Sequence, residues 1–312
     1  MQVGFVGCGR RGRHHMSVFS QIGGVTIAGV ADPVLAARTS AADEFGSRPF
    51  ESVSDLVQRA EPDGLVVSAP AHLNAAAADP ALRFGIPTIV EKPPGLSSEE
   101  TRHLRDIAKE SSTEVMVGFD RRFNPLVTAG IAQLGGSQSL VQLVGEFHKD
   151  ITEFTGDSRI SPEMYDLTML ESPIHTIDLL RFIADSDVST VRGIAKRVNS
   201  RYRDVHAALI EFKNGVVAQF SANYTTGGRL ERYEIHGDEV SCYLEGIRSG
   251  VAYVKGEKTV LEADPTVGAV NQMRYFLDCV KEDRPIEQPA ANLDTAIDTM
   301  EVALKILNSV RN

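Results

Sequence analysis

A glycine-rich hexapeptide near the start of the chain, Gly7-Cys8-Gly9-Arg10-Arg11-Gly12, limits the possible fold more than any other feature. It follows the short apolar run at residues 3–6 directly, and the residues after it can begin a helix. In such a strand–turn–helix unit the first glycine permits a sharp turn, the second lets the backbone approach a pyrophosphate, and the third lets helix and strand pack closely. The free amides of the helix N-terminus attract negative charge. The pattern predicts a dinucleotide site formed by Gly7, Gly9, Arg10, Arg11 and Gly12.

An acidic residue follows at the distance that such a site requires. Asp32 ends the next predicted strand, 20 residues after Gly12. Its carboxylate can accept hydrogen bonds from the adenosine ribose hydroxyls and would repel a 2′-phosphate. We therefore expect NAD rather than NADP, a preference that Arg38 and the loop arginines would moderate. Two alternatives stay open at this point: a plain βα turn in which Asp32 caps a helix, and a methyltransferase.

The first part of the chain alternates short apolar runs with longer mixed segments, which is typical of parallel strands joined by helices. The predicted strands are residues 3–6, 25–30, 65–67, 88–90 and 115–117. Ser97 and Glu100 predict a helix start, because a hydroxyl cap and a glutamate three residues later satisfy free amides. Pro80 predicts a break or a late start in the helix over residues 74–84. We expect an N-terminal Rossmann domain, a doubly wound parallel sheet, over residues 1–119.

After residue 118 the candidate strands follow one another mostly without helices between them. They are residues 140–147, 190–198, 207–212, 216–224, 232–236, 241–244 and 251–254. Lys213-Asn214-Gly215 predicts a tight hairpin turn, because Asn-Gly accepts positive φ angles. Helices are expected near residues 173–184, 271–282 and 293–310. The pattern predicts an α+β domain over residues 120–312, with a large, mostly antiparallel open sheet covered by helices.

Composition and charge exclude several classes of protein. The chain has 312 residues and a formal net charge of -10, which argues against nucleic acid or an anionic membrane as the main partner. No apolar stretch reaches the roughly 18 residues that a membrane helix needs. Cys8, Cys242 and Cys279 are widely spaced, so neither a disulfide framework nor a zinc site is predicted. We expect a cytoplasmic protein.

Several short motifs together resemble the Gfo/Idh/MocA family, the relatives of glucose-fructose oxidoreductase and inositol dehydrogenase. The resemblance covers nearly all of the chain, and Glu-Lys-Pro after the fifth strand is its most specific mark. The motifs are Gly7 to Gly12 followed by His15, Val30-Ala31-Asp32-Pro33, Ser68-Ala69-Pro70-Ala71-His72, Glu91-Lys92-Pro93, Gly118-Phe119-Asp120-Arg121-Arg122-Phe123 and His175-Thr176-Ile177-Asp178.

The resemblance implies roles for residues at the carboxyl ends of the parallel strands. Ser68, Pro70, His72 and Glu91 would lie near the ribose and nicotinamide parts of the cofactor. Lys92 would lie at the nicotinamide and reach the substrate, where its charge can stabilise a developing alkoxide. A solvated surface lysine beside a proline turn is the alternative for Lys92.

In the family, an Asp-x-x-x-His pair supplies the second catalytic element, and the matching positions here are Glu171 and His175. Histidine suits acid–base catalysis because its ordinary pKa of about 6.5 lies near neutrality. Glutamate replaces the family aspartate, and its extra methylene changes how it can meet the histidine. Arg121 and Asp178 are further substrate-binding predictions, although Asp178 suits a supporting role and a pair with Arg181 equally well.

The same second-domain residues allow other interpretations. His175 could be a buried helix histidine bonded to a backbone carbonyl. A metal site of Glu171, His175 and Asp178 is disfavoured because no second histidine lies nearby in the sequence, so no metal is expected. Ser172-Pro173 predicts a helix N-cap and first helical residue, which leaves Glu171 outside the helix. Arg122 is expected to form an ion pair.

The resemblance implies an NAD(P)-dependent dehydrogenase or reductase acting on a secondary hydroxyl of a sugar, cyclic polyol or sugar derivative. Two alternatives remain: a catalytically silent sensor or regulator that binds nucleotide and sugar, and an NAD-dependent lyase or glycosidase with transient oxidation. A homodimer or homotetramer through the open sheet is also implied.

Overall fold

The computed structural model describes residues 1–135, 139–155 and 160–309. The chain divides into two compact units. The first consists of Met1–Phe119 and Ala269–Ile297, and the second of Asp120–Gly268 and Asp298–Asn312 as far as these are described. In the described residues, no helix is both long and apolar enough to cross a membrane.

The first unit is built on a six-stranded parallel sheet with the strand order β3-β2-β1-β4-β5-β6. Its elements are β1 (Gln2–Val6), α1 (Arg10–Ser20), β2 (Thr26–Ala31), α2 (Leu35–Phe45), β3 (Pro49–Phe50), α3 (Val53–Ala60), β4 (Gly64–Val67), α4 (Ala71–Arg83), β5 (Thr88–Val90), α5 (Ser98–Glu110) and β6 (Val115–Val117). The central strands are mostly apolar because helices cover both faces of such a sheet. The predicted doubly wound Rossmann sheet is confirmed, and it brings the carboxyl ends of β1, β2, β4 and β5 to one edge.

Of two predictions about helices in this unit, one is confirmed and one is wrong. The helix start at Ser97 is confirmed, since the Glu100 N–H donates to Ser97 Oγ at 3.1 Å. The predicted interruption at Pro80 is wrong, because α4 runs through it. A proline inside a helix removes one backbone hydrogen bond. Burial of Ala78, Ala81 and Leu82 on the same helix offsets this loss.

The second unit carries an eight-stranded sheet with the order β14-β13-β12-β11-β7-β10-β9-β8, in which every neighbouring pair is antiparallel except β7 and β10. Its elements are α6 (Pro125–Ala132), β7 (Leu140–Asp150), α7 (Thr152–Thr155), α8 (Ile174–Ala184), β8 (Val188–Lys196), β9 (Val205–Phe212), β10 (Val217–Asn223), β11 (Thr225–Gly237), β12 (Val240–Glu245), β13 (Ser249–Val254) and β14 (Glu257–Glu262). Two further helices, α9 (Val267–Glu282) and α10 (Leu293–Leu307), contain residues of both units. The predicted mostly antiparallel sheet is confirmed.

Helix α8 is held close against the sheet of the second unit. A Cβ at Gly145 of β7 would lie 2.4 Å from Cγ2 of Thr176, so only glycine lets the helix approach this strand. The helix begins at Ile174, with Pro173 as its N-cap and no side-chain cap. The predicted cap at Ser172 is therefore wrong, because its hydroxyl donates to the Glu171 carboxylate instead. Glu171 lies outside the helix, as expected.

The second unit is not continuous over residues 120–312 as the sequence suggested, because Ala269–Ile297 belongs to the first unit. The N–H of Val117 donates to Ala291 O at 2.7 Å, and Phe276 packs against Gly64. The final predicted helix ends at Leu307, and residue 310, its expected end, lies outside the described residues.

Candidate active site

The glycine loop has the geometry that a dinucleotide requires. Gly7 has a φ of 93°, and a Cβ there would lie 2.3 Å from Ser68 O. A Cβ at Gly12 would lie 1.9 Å from Gly7 O, so the loop and α1 can approach only without side chains. At Gly9 nothing lies within 4 Å of that position. Gly9 also caps α1 without a side chain, and the first turn has no acidic residue, so the amide end of the helix suits a pyrophosphate.

Asp32 follows β2 and supports this loop. One carboxylate oxygen accepts the Cys8 N–H at 2.8 Å, and the other accepts the Val34 N–H at 2.9 Å. Arg38 donates to the backbone carbonyls of Asp32 and Pro33, at 3.1 and 2.9 Å. The half-buried carboxylate keeps lone pairs for ribose hydroxyls. The glycine loop and Asp32 therefore fit an NAD molecule in which the adenosine ribose is unphosphorylated.

A buried acidic centre links the glycine loop with the end of β5. The Glu91 side chain is 5% exposed, and its Oε1 accepts from Arg11 Nε at 2.8 Å and lies 2.6 Å from His15 Nε2. Burial alone would raise the pKa of Glu91, but Arg11, His15 and Lys92 outweigh it and hold the pKa well below its ordinary value. Glu91 therefore stays ionised although it is buried.

The carboxylate of Glu91 also holds the backbone of Lys92. Its N–H donates to Glu91 Oε2 at 3.1 Å, and its side chain is partly exposed just beyond β5. Arg11, predicted to bind cofactor, contacts Glu91, while Arg10 is exposed. Arg11 thus also holds Glu91, which in turn binds the backbone N–H of Lys92.

The loop after β4 is tied to the same segment by one buried side chain. Asn74 is 1% exposed, donates to Glu91 O at 2.5 Å and Pro93 O at 3.0 Å, and accepts the Ala69 N–H at 3.2 Å. Ser68 Oγ is buried without a hydrogen-bond partner among the described residues, a polar atom that suits a bound ligand. Pro70 caps α4, and His72 stands in its first turn.

His175 of the second unit is buried in the first turn of α8, at 4% exposure. Its Nδ1 lies 3.7 Å from Oδ1 of Asp120. Asp120 is itself buried, in a 3-10 turn that follows β6 after two residues. The geometry of a histidine with a nearby carboxylate suits proton transfer.

Glu171, the other predicted catalytic residue of the second unit, contacts Ser172, Lys149 and Tyr224. Its Oε2 accepts from Ser172 Oγ, lies 3.5 Å from Lys149 Nζ and accepts a long hydrogen bond of 3.4 Å from the Tyr224 hydroxyl. Tyr224 is fully buried, and its one hydroxyl proton is shared between Glu171 and the nearer acceptor, Thr168 O at 2.8 Å. Burial and the charge of Glu171 raise the pKa of Tyr224 well above its ordinary value, so the hydroxyl stays a donor.

Arg121 and Asp178, both predicted to bind substrate, are engaged within the protein. Arg121 donates from Nε and NH2 to both carboxylate oxygens of Glu231, at 2.8 and 3.0 Å, and from NH1 to Asp120 at 2.8 Å. Burial would lower the pKa of Arg121, but Asp120 and Glu231 raise it well above the ordinary value.

Asp178 is fully buried and forms two hydrogen bonds of 2.7 Å with Arg122, which confirms the ion pair expected for Arg122. Because Arg122 engages both of its oxygens, Asp178 suits the supporting role better than a direct substrate contact. Arg181 pairs with Asp298 instead, at 2.8 Å.

Sequence reasoning missed several residues of this site. His15 is only part of a family motif in the sequence, and no sequence signal points to Asn74 or Glu231. Asp120 stands beside Arg121 in a motif already noted, but its approach to a histidine 55 positions later depends on the fold.

Two family models match the chain. Residues 1–119 match the model described as an oxidoreductase family with an NAD-binding Rossmann fold, and residues 139–242 match the GFO/IDH/MocA C-terminal domain. These matches confirm the predicted resemblance, the cofactor class and the oxidoreductase class.

Individual relatives cover the chain to different extents. The rhizopine catabolism protein MocA of Rhizobium meliloti is 35% identical over a matched segment. That segment is 40% of this chain and spans only 39% of the length of MocA. The scyllo-inositol 2-dehydrogenase (NAD(+)) of Bacillus subtilis is 25% identical over 98% of this chain and 93% of its own length.

A solved structure shares the fold. The UDP-N-acetylglucosamine 3-dehydrogenase of Acidithiobacillus ferrooxidans superposes with a TM-score of 0.86 at 21% identity, over 99% of this chain and 97% of that chain. Both halves of this protein, with the glycine loop, the buried Glu91 and the segment of Lys92 that it holds, belong to the Gfo/Idh/MocA family of oxidoreductases.

Proposed function

We propose that the protein is an NAD-dependent dehydrogenase or reductase that acts on a secondary hydroxyl of a sugar, cyclic polyol or sugar derivative. The observation that carries this proposal is Lys92, at the carboxyl end of β5, beside a glutamate kept ionised by Arg11 and His15. A lysine so placed can donate to a hydroxyl oxygen as that oxygen gains charge.

The two proposed catalytic side chains have separate tasks. His175 accepts the hydroxyl proton at a ring nitrogen, and Lys92 stabilises the resulting alkoxide. When bound, NAD supplies the hydride acceptor. Ser68, His72 and Glu91 support the cofactor, and Glu171 acts with His175 at the substrate. Because the sequence has no tryptophan and only 6% aromatic residues, polar contacts are expected to carry substrate recognition.

The names of the relatives support this substrate class. Inositols and nucleotide-linked aminosugars, which those names mention, are polyhydroxylated rings with secondary hydroxyls. We extend that class, and no single compound, to this chain.

A substrate screen tests the proposal. Purified protein is incubated with sugars, polyols and sugar acids, with NAD⁺ and in parallel with NADP⁺, and the absorbance of the reduced nicotinamide is followed. We expect turnover of a narrow substrate group, faster with NAD⁺ because the carboxylate of Asp32 repels a 2′-phosphate. His175→Ala should lower kcat by about 10²- to 10⁴-fold. If no compound gave reduced nicotinamide although NAD bound measurably, a sensor or a lyase with transient oxidation would be favoured.

We also propose a homodimer or homotetramer that forms through the open face of the second-unit sheet. One face of β9 is buried under helices through Ala208 and Ile210, whereas the other exposes Leu209. Apolar and aromatic side chains with the same orientation continue across the sheet: Ile194, Val217, Tyr243, Tyr253 and Val260. Exposed apolar side chains gathered on one face of a sheet can mark an interface. Light scattering should give a multiple of the monomer mass, and Leu209→Arg should reduce it.

We propose a cytoplasmic location. Cys8, Cys242 and Cys279 are free, buried thiols. Burial raises the pKa of Cys8 to about 12 and that of Cys242 to about 11, so these thiols stay protonated and unreactive. Fractionation of the source cells tests the location.

A further inference from the structure

We infer that Asn74 is the residue that positions Lys92 for the proposed reaction, by holding the backbone on both sides of the lysine. The inference rests on the proposed function and deepens it by naming a positioning residue. The Asn74 amide donates to Glu91 O, which precedes Lys92 in the chain, and to Pro93 O, which follows it. Lys92 therefore stands between two carbonyls that a single side chain holds.

The segment that carries Lys92 has few backbone donors of its own. It follows β5 directly and contains Pro93 and Pro94, which have no backbone N–H. Glu91 and Pro93 are buried, so their carbonyls need donors from elsewhere in the protein. The NH2 group of Asn74 has two hydrogens, one for each of these carbonyls.

A third contact fixes the orientation of the Asn74 amide. Its Oδ1 accepts the Ala69 N–H at 3.2 Å. If the amide were flipped, its oxygen would face two carbonyl oxygens and its NH2 group would face an N–H, so one orientation alone satisfies all three partners. Aspartate has the same shape but no N–H, and leucine has no polar atom in the side chain. The position therefore requires an amide, and size alone does not define it.

The same amide reaches the loop after β4. This loop carries Ser68 and Pro70, two of the predicted cofactor-binding residues, and Ala69 lies between them. Asn74, which is 1% exposed, thus joins the backbone around Lys92 to the backbone of that loop. A displacement of about 1 Å in a reacting group can cost about 10²-fold in rate. We therefore expect Asn74 to act on kcat through Lys92, with little effect on the affinity for NAD.

Amide hydrogen exchange gives the first test, and it needs no turnover. Over residues 91–95 the amides are those of Glu91, Lys92 and Gly95, because the two other residues are prolines. In Asn74→Asp these amides should exchange about ten-fold faster than in the wild type, because the segment loses two hydrogen bonds. Exchange in β2, within the same unit, should stay unchanged. Equal exchange at residues 91–95 in the variant and the wild type would overturn the inference.

Asn214→Asp is the matched control. Asn214 likewise donates to a backbone carbonyl, Ala184 O at 2.9 Å, and accepts an N–H, that of Val216 at 3.2 Å, but it lies in the turn between β9 and β10. Neither the exchange at residues 91–95 nor the rate of turnover should change in this control. If Asn74→Asp does not fold, Asn74→Ala, which removes the amide without adding a charge, replaces it in each comparison.

The second test separates positioning of the lysine from a general loss of structure. Asn74→Asp should lower kcat by about 10²-fold and change the Kd for NAD by no more than a few-fold. In the Lys92→Met background, the same substitution should lower kcat by less than about three-fold, because the group that Asn74 positions is already absent. Equal losses of kcat in the two backgrounds, or a rise in Kd as large as the fall in kcat, would contradict the inference.

The two tests keep the inference apart from the proposed function. Hydrogen exchange measures the segment of Lys92 without any substrate. If the substrate screen found no turnover, the proposed reaction would fail, and hydrogen exchange would still decide whether Asn74 holds the backbone of the lysine.

Discussion

Lys92→Met is expected to lower kcat by about 10³-fold, the loss typical when one donor to a developing oxyanion is removed. Methionine keeps an unbranched side chain of similar length but removes the charge. The Kd for NAD should change by no more than a few-fold, because the glycine loop and Asp32 do not depend on the lysine ammonium. Steady-state rates and calorimetry measure the two quantities.

Lys109→Met is the matched control for Lys92→Met. Lys109 is 63% exposed and pairs at 3.5 Å with Asp294 on the surface of the first unit. The rate of this control should equal that of the wild type. If Lys92→Met kept turnover within ten-fold of the wild type, Lys92 would have no catalytic role.

Asp178→Asn is expected to lower the free energy of unfolding by about 3–5 kcal/mol, the range for breaking a fully buried ion pair. Asp178 is 0% exposed, and the side chain of Arg122, which donates to both of its oxygens, is 2% exposed. The variant leaves the Arg122 guanidinium buried without its counter-charge. The midpoint of urea unfolding, followed by a signal from the second unit, measures the change.

A partly exposed pair between α8 and α10 provides the comparison. Arg181 contacts Asp298 at 2.8 Å; the Arg181 side chain is 10% exposed, and that of Asp298 is 57% exposed. Asp298→Asn should cost no more than about 1 kcal/mol, since water screens exposed pairs. Equal losses in the two variants would mean that burial does not set the strength of the Arg122–Asp178 pair.

The nucleotide-binding residues could be predicted from the sequence because the pattern that identifies them lies in neighbouring segments of the chain. A strand, a glycine loop and a helix are consecutive in the chain, and the carboxyl ends of parallel strands must meet at one edge. Gly7, Asp32 and Lys92 could therefore be assigned by position. The β-strands after residue 118 were also readable from their apolar runs and from the turn at Gly215.

The candidate residues of the second unit depend on contacts that no local pattern encodes. The fold brings Asp120 within 3.7 Å of His175, and Arg121 meets Glu231 across 110 positions. The sequence therefore left the partner of Arg121 open. It pointed to Glu171 as the carboxylate for His175 and gave no sign of Asp120.

The segment Ala269–Ile297 belongs to the first unit, and its late place in the chain affects when that unit can finish folding during translation. Translation delivers the chain from its N-terminus, and domains generally fold as their residues emerge. Residues 1–119 contain every predicted cofactor-binding side chain. The hydrogen bond between Val117 and Ala291 and the packing of Phe276 on Gly64 can nevertheless form only after most of the chain has been synthesised. The nucleotide-binding unit is therefore completed late on the ribosome, after the second-unit sheet has emerged, although its sequence begins at the first residue.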